Sequence, residues 1–166
     1  ASFEETVEAN IKGTYGIYEA CKRKGVKRVI LASTNHVTGM YEKKGPIYTT
    51  WDMPVRPDSF YGASKAYDEA LGRYYWDEYG LSVVCLRIGS FQPVSSVQNR
   101  KADRILSTWL SYKDTVQLTW RSIDASDKVG FAIYFGISGN TRAYWDLQNA
   151  REEIGYDPVD NAEDFA

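Results

Sequence analysis

Residues 61–88, YGASKAYDEALGRYYWDEYGLSVVCLRI, decide the fold. The first 19 residues sustain a helical run that Gly80 ends, and Leu81 to Ile88 (LSVVCLRI) then forms an apolar run of strand length, of the kind that is buried on both faces of a sheet. Upstream, Arg28 to Ala32 (RVILA) repeats the strand pattern. A helix precedes it: Ser2 with Glu5 three residues on is a capping-box signature, and Val7, Ile11, Tyr15 and Tyr18 recur at helical spacing until Gly25. The order helix, strand, helix, strand implies right-handed crossovers on a parallel sheet, and so an α/β class with RVILA as a central strand. Between Thr34 and Ser59 lie Gly39, Gly45, Pro46, Pro54 and Pro57, so this stretch is a loop, long enough to carry function. Beyond Gly89 the pattern predicts a polar loop, a helix near Ser111 to Ile123, a strand near Gly130 to Gly136, and short helices around Trp145 and Asn161.

The chain of 166 residues, 43% hydrophobic, is long enough for one domain spanning 1–166 with a core of its own. Its 20 basic and 22 acidic residues nearly cancel, which argues against nucleic acid or an anionic membrane as partner, so an anionic ligand must be met by local charge. No apolar run is long enough to span a bilayer, and Ala1 to Asn10 is acidic, unlike a secretion signal. Cys21 and Cys85 sit far apart in apolar segments, which is expected of buried free thiols in a cytoplasmic protein.

Tyr61 and Lys65 form a Tyr-x-x-x-Lys pair, and a spacing of four on a helix puts both side chains on one face. With 13 Tyr and 10 Lys in the chain, chance alone supplies about 0.8 such pairs, and Tyr18 with Lys22 is a decoy. Context separates the two. Tyr61 opens a helix after a long loop, and the strand ending Ala32-Ser33-Thr34 brings a hydroxyl 27 residues upstream of it. A pair without these surroundings would be merely an exposed helix contact.

Leu31-Ala-Ser-Thr-Asn-His-Val-Thr-Gly39 followed by Pro57-Asp-Ser-Phe-Tyr-Gly-Ala-Ser-Lys65 resembles, in order and spacing, the extended short-chain dehydrogenases/reductases, the NAD-dependent epimerase/dehydratase family. Asn10-Ile-Lys-Gly-Thr14 is similar to the family's Asn-x-x-Gly-Thr helix, and Leu86-Arg-Ile-Gly-Ser90 to its strand end beside the nicotinamide. The resemblance covers nearly the whole chain and implies the C-terminal part of a Rossmann-type, doubly wound parallel sheet. It implies NAD as cofactor, contacted by Asn10, Tyr61, Lys65, Ile88 and Gly89. It also implies a catalytic set of Thr34, Tyr61 and Lys65. A free Tyr titrates near 10, so it needs help to act as a base at neutral pH. A neighbouring ammonium and the positive nicotinamide favour phenolate, each tenfold gain in that form corresponding to about 1.4 kcal/mol. Thr34 stands where the family more often has Ser, which bears on the fit of the substrate. Homo-oligomerisation through the helices of residues 2–24 and 61–79 is implied as well.

Within that family, Thr34-Asn35-His36-Val37, Arg104-Ile-Leu-Ser-Thr-Trp109, Ser138-Gly-Asn-Thr and Asp160-Asn-Ala-Glu-Asp-Phe are most similar to the uronate dehydrogenases. The implied substrate is a uronic acid such as glucuronate or galacturonate, oxidised at its C1 hydroxyl to an aldarolactone and bound by Thr34, Asn35, His36, Ser90 and Arg104. Arg104 would meet the carboxylate, with Arg100 as competitor because the loop from Phe91 to Asp103 is longer than in those enzymes. His36 has no His, Cys or Asp cluster around it in the sequence, so no metal is expected. The five tryptophans are expected in the core or at interfaces rather than in the site. Two alternatives stay open: a nucleotide-sugar epimerase or dehydratase, and an inactive interaction module. None of the 13 glycines forms the glycine-rich turn that holds a dinucleotide pyrophosphate. The chain is therefore expected to lack the family's nucleotide-binding half and to be inactive by itself.

Overall fold

The computed structural model describes residues 2–43, 45–101 and 104–166. Ala1 and Asp103, the outer limits of two expectations above, lie outside them. The first helix opens as expected: Ser2 Oγ accepts the Glu5 N–H and the Glu5 carboxylate accepts the Ser2 N–H, closing both halves of the capping box. It runs as α1 (Phe3–Thr6), a π-helical stretch Val7–Lys12, and α2 (Gly13–Lys24). A π turn inserts an extra residue, which rotates the apolar stripe. Hence the helical spacing read from Val7 to Tyr18 is broken: Thr14 and Tyr18 are buried, Val7 and Ile11 only partly, and Tyr15 is exposed.

Three parallel strands, β1 (Arg28–Thr34), β2 (Ser82–Ile88) and β5 (Phe131–Gly136), stand in the order β1-β2-β5. The register places Thr34 opposite Ile88 and Ile88 opposite Gly136, so all three strands end along one edge. β2 is the central strand and is buried from Ser82 to Arg87. β1 is not: among the described residues it is the sheet's edge and is only half-buried over most of its length, since nothing pairs with its far side. Among the three described strands the middle position is taken by LSVVCLRI.

Helix α3 (Phe60–Tyr79) and α2 cover one face, where Tyr18 stacks on Tyr75 with ring centroids 5.1 Å apart above Val83 and Cys85. Cys85 is fully buried and Cys21 partly, and both are free thiols. α5 (Tyr112–Ile123) covers the other face, packing Leu118 with Val84, Leu86 and Tyr134, and α6 (Gln148–Ile154) closes that layer. The chain steps in the same direction from β1 to β2 and from β2 to β5, yet its helices lie on opposite faces. The two crossovers therefore have opposite hands; the right-handed expectation concerned the first of them, β1–α3–β2. The handedness rule governs a compact strand–helix–strand unit, whereas the second connection carries a small sheet of its own, in which β3 (Ser90–Phe91) pairs parallel with β4 (Trp109–Leu110) after α4 (Ile105–Thr108). The loop expected beyond Gly89 is accordingly structured. The helix expected around Trp145 begins only at Gln148; Trp145 itself bridges to Thr49 and is buried, because its ring stacks on Phe135.

Candidate active site

The C-terminal edge of a parallel sheet is where an α/β fold gathers ligands, and here it gathers Thr34, Ile88 and the loops that follow them. Thr34 Oγ1 accepts the His36 N–H at 3.3 Å and caps the short turn Asn35–Val37. The Asn35 amide, oriented to satisfy both neighbours, donates to the Ile88 carbonyl at 3.0 Å and accepts from Arg104 Nη2 at 2.9 Å. His36 turns its Nδ1 to both Asp58 oxygens at 3.0 Å, and its ring meets Tyr61 edge-on with centroids 6.0 Å apart. Burial alone would raise the Asp58 carboxyl, but hydrogen bonds from His36 and Ser59 outweigh it and hold it below the usual carboxylate range.

Ser59 caps α3 by accepting the Gly62 N–H at 3.1 Å, which sets Tyr61 in the helix's first turn, 45% exposed. One turn on, Lys65 Nζ lies 3.3 Å from the Asp68 carboxylate. Asp68 is fully buried, and burial pushes its carboxyl up against the pull of Lys65. Asn10 donates to Ser64 Oγ at 2.8 Å, and Ser64 in turn donates to the Tyr61 carbonyl at 2.8 Å. Asn10 and Tyr61 thus line one open cleft, together with Thr6 and Ala9. The decoy is resolved by packing: Tyr18 is in the core, and Lys22 is paired with Glu19.

On the other side of His36 a cavity of about 560 Å³ is lined by His36, Glu42, Asp58, Arg104, Arg142 and Tyr144, among others, and Arg100 is not one of its lining residues. Arg104 gives Nε to Glu42 Oε2 at 2.6 Å and Nη2 to Oε1 at 3.1 Å, and lies over the Trp145 ring at 5.6 Å. Burial works against its charge, but the Glu42 carboxylate outweighs that and raises its pKa. Tyr144 donates to Glu42 Oε2 at 2.9 Å. Ser90 Oγ lies 2.9 Å from Thr108 Oγ1, which Arg104 Nη1 approaches at 3.5 Å. The structure thus brings Thr34, Asn35, His36, Ser90 and Arg104 into one connected polar group, with Tyr61 at its edge and Asn10 and Lys65 beyond. Sequence patterns did not point to Glu42, Asp58 and Tyr144, and Trp145 was expected in the core rather than in the site. Asp58 lay inside a quoted motif; Glu42 and Tyr144 come from a loop without periodicity and from a segment some hundred residues away, where no local spacing could signal them.

The model of the NAD dependent epimerase/dehydratase family matches residues 1–113, a span that holds every one of the candidate residues except Arg142, Tyr144 and Trp145. The chain belongs to this family. It is 45% identical over 163 residues to a uronate dehydrogenase of Pseudomonas syringae pv. tomato, a match that covers 98% of the chain and 56% of that enzyme. It is 36% identical over 178 residues to the L-arabinose 1-dehydrogenase (NAD(P)(+)) of Haloferax volcanii, covering 98% of the chain and 70% of that protein. The crystal structure of uronate dehydrogenase from Agrobacterium tumefaciens superposes with a TM-score of 0.88 at 36% identity, over 99% of the chain and 59% of that structure. The chain therefore spans little more than half the length of the uronate dehydrogenases it matches. As in other members of this family, the parallel sheet is of Rossmann type. Among the described residues no helix is long and apolar enough to cross a membrane.

Proposed function

We propose that the full-length protein oxidises the C1 hydroxyl of a cyclic hexuronate, such as glucuronate or galacturonate, to the lactone, with NAD as oxidant. The observation that carries this is the placement of Arg104 in the same cavity as His36, whose ring abuts Tyr61. Tyr61 takes the hydroxyl proton, Thr34 holds the substrate oxygen, and Lys65 favours the phenolate. Asn35, His36 and Ser90 contact the sugar, while Arg104 meets the carboxylate through a charge-assisted hydrogen bond.

The donors present fit the nicotinamide–ribose end of NAD. An ammonium carries three protons, and the Asp68 carboxylate at 3.3 Å engages only part of the Lys65 head, so donors remain for ribose hydroxyls. Ile88 and Gly89 end β2 at the same edge, and Asn10 shares the cleft of Tyr61. When bound, NAD accepts the hydride from C1. The pyrophosphate cradle is not among these residues, and the 166 residues alone are expected to show no activity.

The test is oxidation of glucuronate and galacturonate by the full-length protein, followed as NADH. Tyr61→Phe should lower kcat about a hundredfold or more; comparable rates would refute the assignment. Tightly held NAD with no net reduction would instead favour nucleotide-sugar epimerisation. The reading carries with it a cytoplasmic location and a homo-oligomer built on the helices of residues 2–24 and 61–79, where Tyr15, Ile17 and Tyr74 are exposed. Sedimentation showing only monomer would count against the oligomer.

A further inference from the structure

Two of the cations that line the substrate cavity are already paired with carboxylates. Arg104 is clasped by both oxygens of Glu42, and Arg142 Nε lies 2.5 Å from Glu163. His36 rests on Asp58, and the Lys43 ammonium reaches only the Asp58 carbonyl, at 3.5 Å. Glu42 is held firmly in this role. Its side chain is 14% exposed, and Tyr144 donates to the same Oε2 that accepts Arg104 Nε. Of the guanidinium, Nε and Nη2 are engaged by Glu42, with Asn35 also on Nη2, which leaves Nη1, whose nearest partner is Thr108 Oγ1 at 3.5 Å. A sugar carboxylate would find one edge of Arg104 instead of its fork. A sugar hydroxyl, by contrast, would find acceptors on Glu42 and a donor on Arg104.

We infer that Glu42 sets the substrate range of this site, so that neutral aldopyranoses are oxidised at C1 alongside uronates. The inference rests on the Tyr61-centred oxidation proposed above and extends it to a second substrate class. The reaction balances in the same way: the C1–H leaves as hydride to NAD, the C1 hydroxyl proton passes to Tyr61, and the products are the lactone and NADH. Glu42 is a positioning residue. It acts by occupying the guanidinium that would otherwise be free to select for a carboxylate, and selectivity is a difference between two affinities.

The experiment compares glucuronate and galacturonate with glucose, galactose and L-arabinose, using the full-length protein with NAD. Wild type should oxidise at least one neutral sugar with kcat/KM within about a hundredfold of its better uronate. Glu42→Gln, which keeps the volume and an acceptor for Tyr144, should raise the uronate-to-neutral ratio of kcat/KM about tenfold or more, mostly through KM. A folded Glu42→Gln enzyme with an unchanged ratio would overturn the inference. Should that variant not fold, competition in the wild type decides. A neutral sugar that competitively inhibits glucuronate oxidation with a constant near the glucuronate KM supports the inference; neutral sugars that neither react nor compete overturn it while leaving uronate oxidation intact. Failure of every sugar to reduce NAD removes the underlying reaction instead.

Discussion

Glu69 of α3 holds the Arg87 guanidinium of β2 in a two-pronged pair, Nε to Oε1 at 3.0 Å and Nη2 to Oε2 at 2.8 Å, with both side chains buried. Ser33 donates to the same carboxylate at 2.6 Å, and Arg87 Nη1 reaches the Trp51 carbonyl at 3.1 Å. The pair thereby ties β1, β2, α3 and the 34–59 loop together just behind the site. A buried pair is weak as a net stabiliser, but removing one partner leaves the other's charge uncompensated, at a cost of about 3 to 5 kcal/mol. Glu69→Gln should lower unfolding stability by about 3 kcal/mol in urea titrations of the full-length protein. A loss under about 1 kcal/mol would show that water reaches Arg87.

Gly62 follows Tyr61, and a Cβ there would stand 2.4 Å from the His36 carbonyl oxygen and 2.9 Å from its carbonyl carbon. Both atoms are backbone, so the start of α3 and the Asn35–Val37 turn would have to separate. Gly62→Ala is therefore expected to move Tyr61 relative to His36 and to reduce kcat/KM about tenfold or more, because small displacements of reacting groups are costly. Steady-state kinetics equal to wild type would show that the turn yields freely.

Asp58 orients the His36 ring through contacts to both carboxylate oxygens at 3.0 Å. Asp58→Asn keeps the shape and removes the charge. It should raise KM for the sugar about tenfold, with a smaller change in kcat, if His36 binds the sugar as proposed and takes no part in proton transfer. A loss confined to kcat would place His36 in the chemistry instead.

Glu19 accepts from Lys22 at 2.6 Å and from Tyr75 at 2.6 Å, and these hydrogen bonds, that of Lys22 foremost, lower its pKa from 4.5 to about 2. A carboxyl depressed in the folded state contributes stability above its unfolded pKa and loses it as pH falls through the folded one. Stability should thus decline between about pH 4.5 and pH 2, because the unfolded chain takes up a proton that the folded chain refuses. Glu19→Gln should flatten part of that decline in denaturant midpoints measured across this range. An unchanged slope would show that Glu19 makes no such contribution.

Short-range patterns foretold the elements whose causes are local. Ser2 and Glu5 formed their capping box, Gly25 and Gly80 ended their helices in the left-handed region, and LSVVCLRI became a strand buried on both faces. Where a distant partner decides, the same patterns failed. The segment around Trp145 looked helical and instead pairs with Thr49.

The candidate site divides along the same line. The sequence by itself offered Thr34, Asn35, His36, Tyr61 and Lys65 as candidates, through the resemblance of two short stretches, 31–39 and 57–65, each carried by one strand end or one helix start. Only the tertiary structure decided that Asp58 would hold His36, that Asp68 would meet Lys65 in a buried setting, and that Glu42 and Tyr144, 102 positions apart, would close on Arg104. Charge compensation acts through space, so a residue's partner depends on how loops fold across the sheet edge, which no periodicity along the chain records.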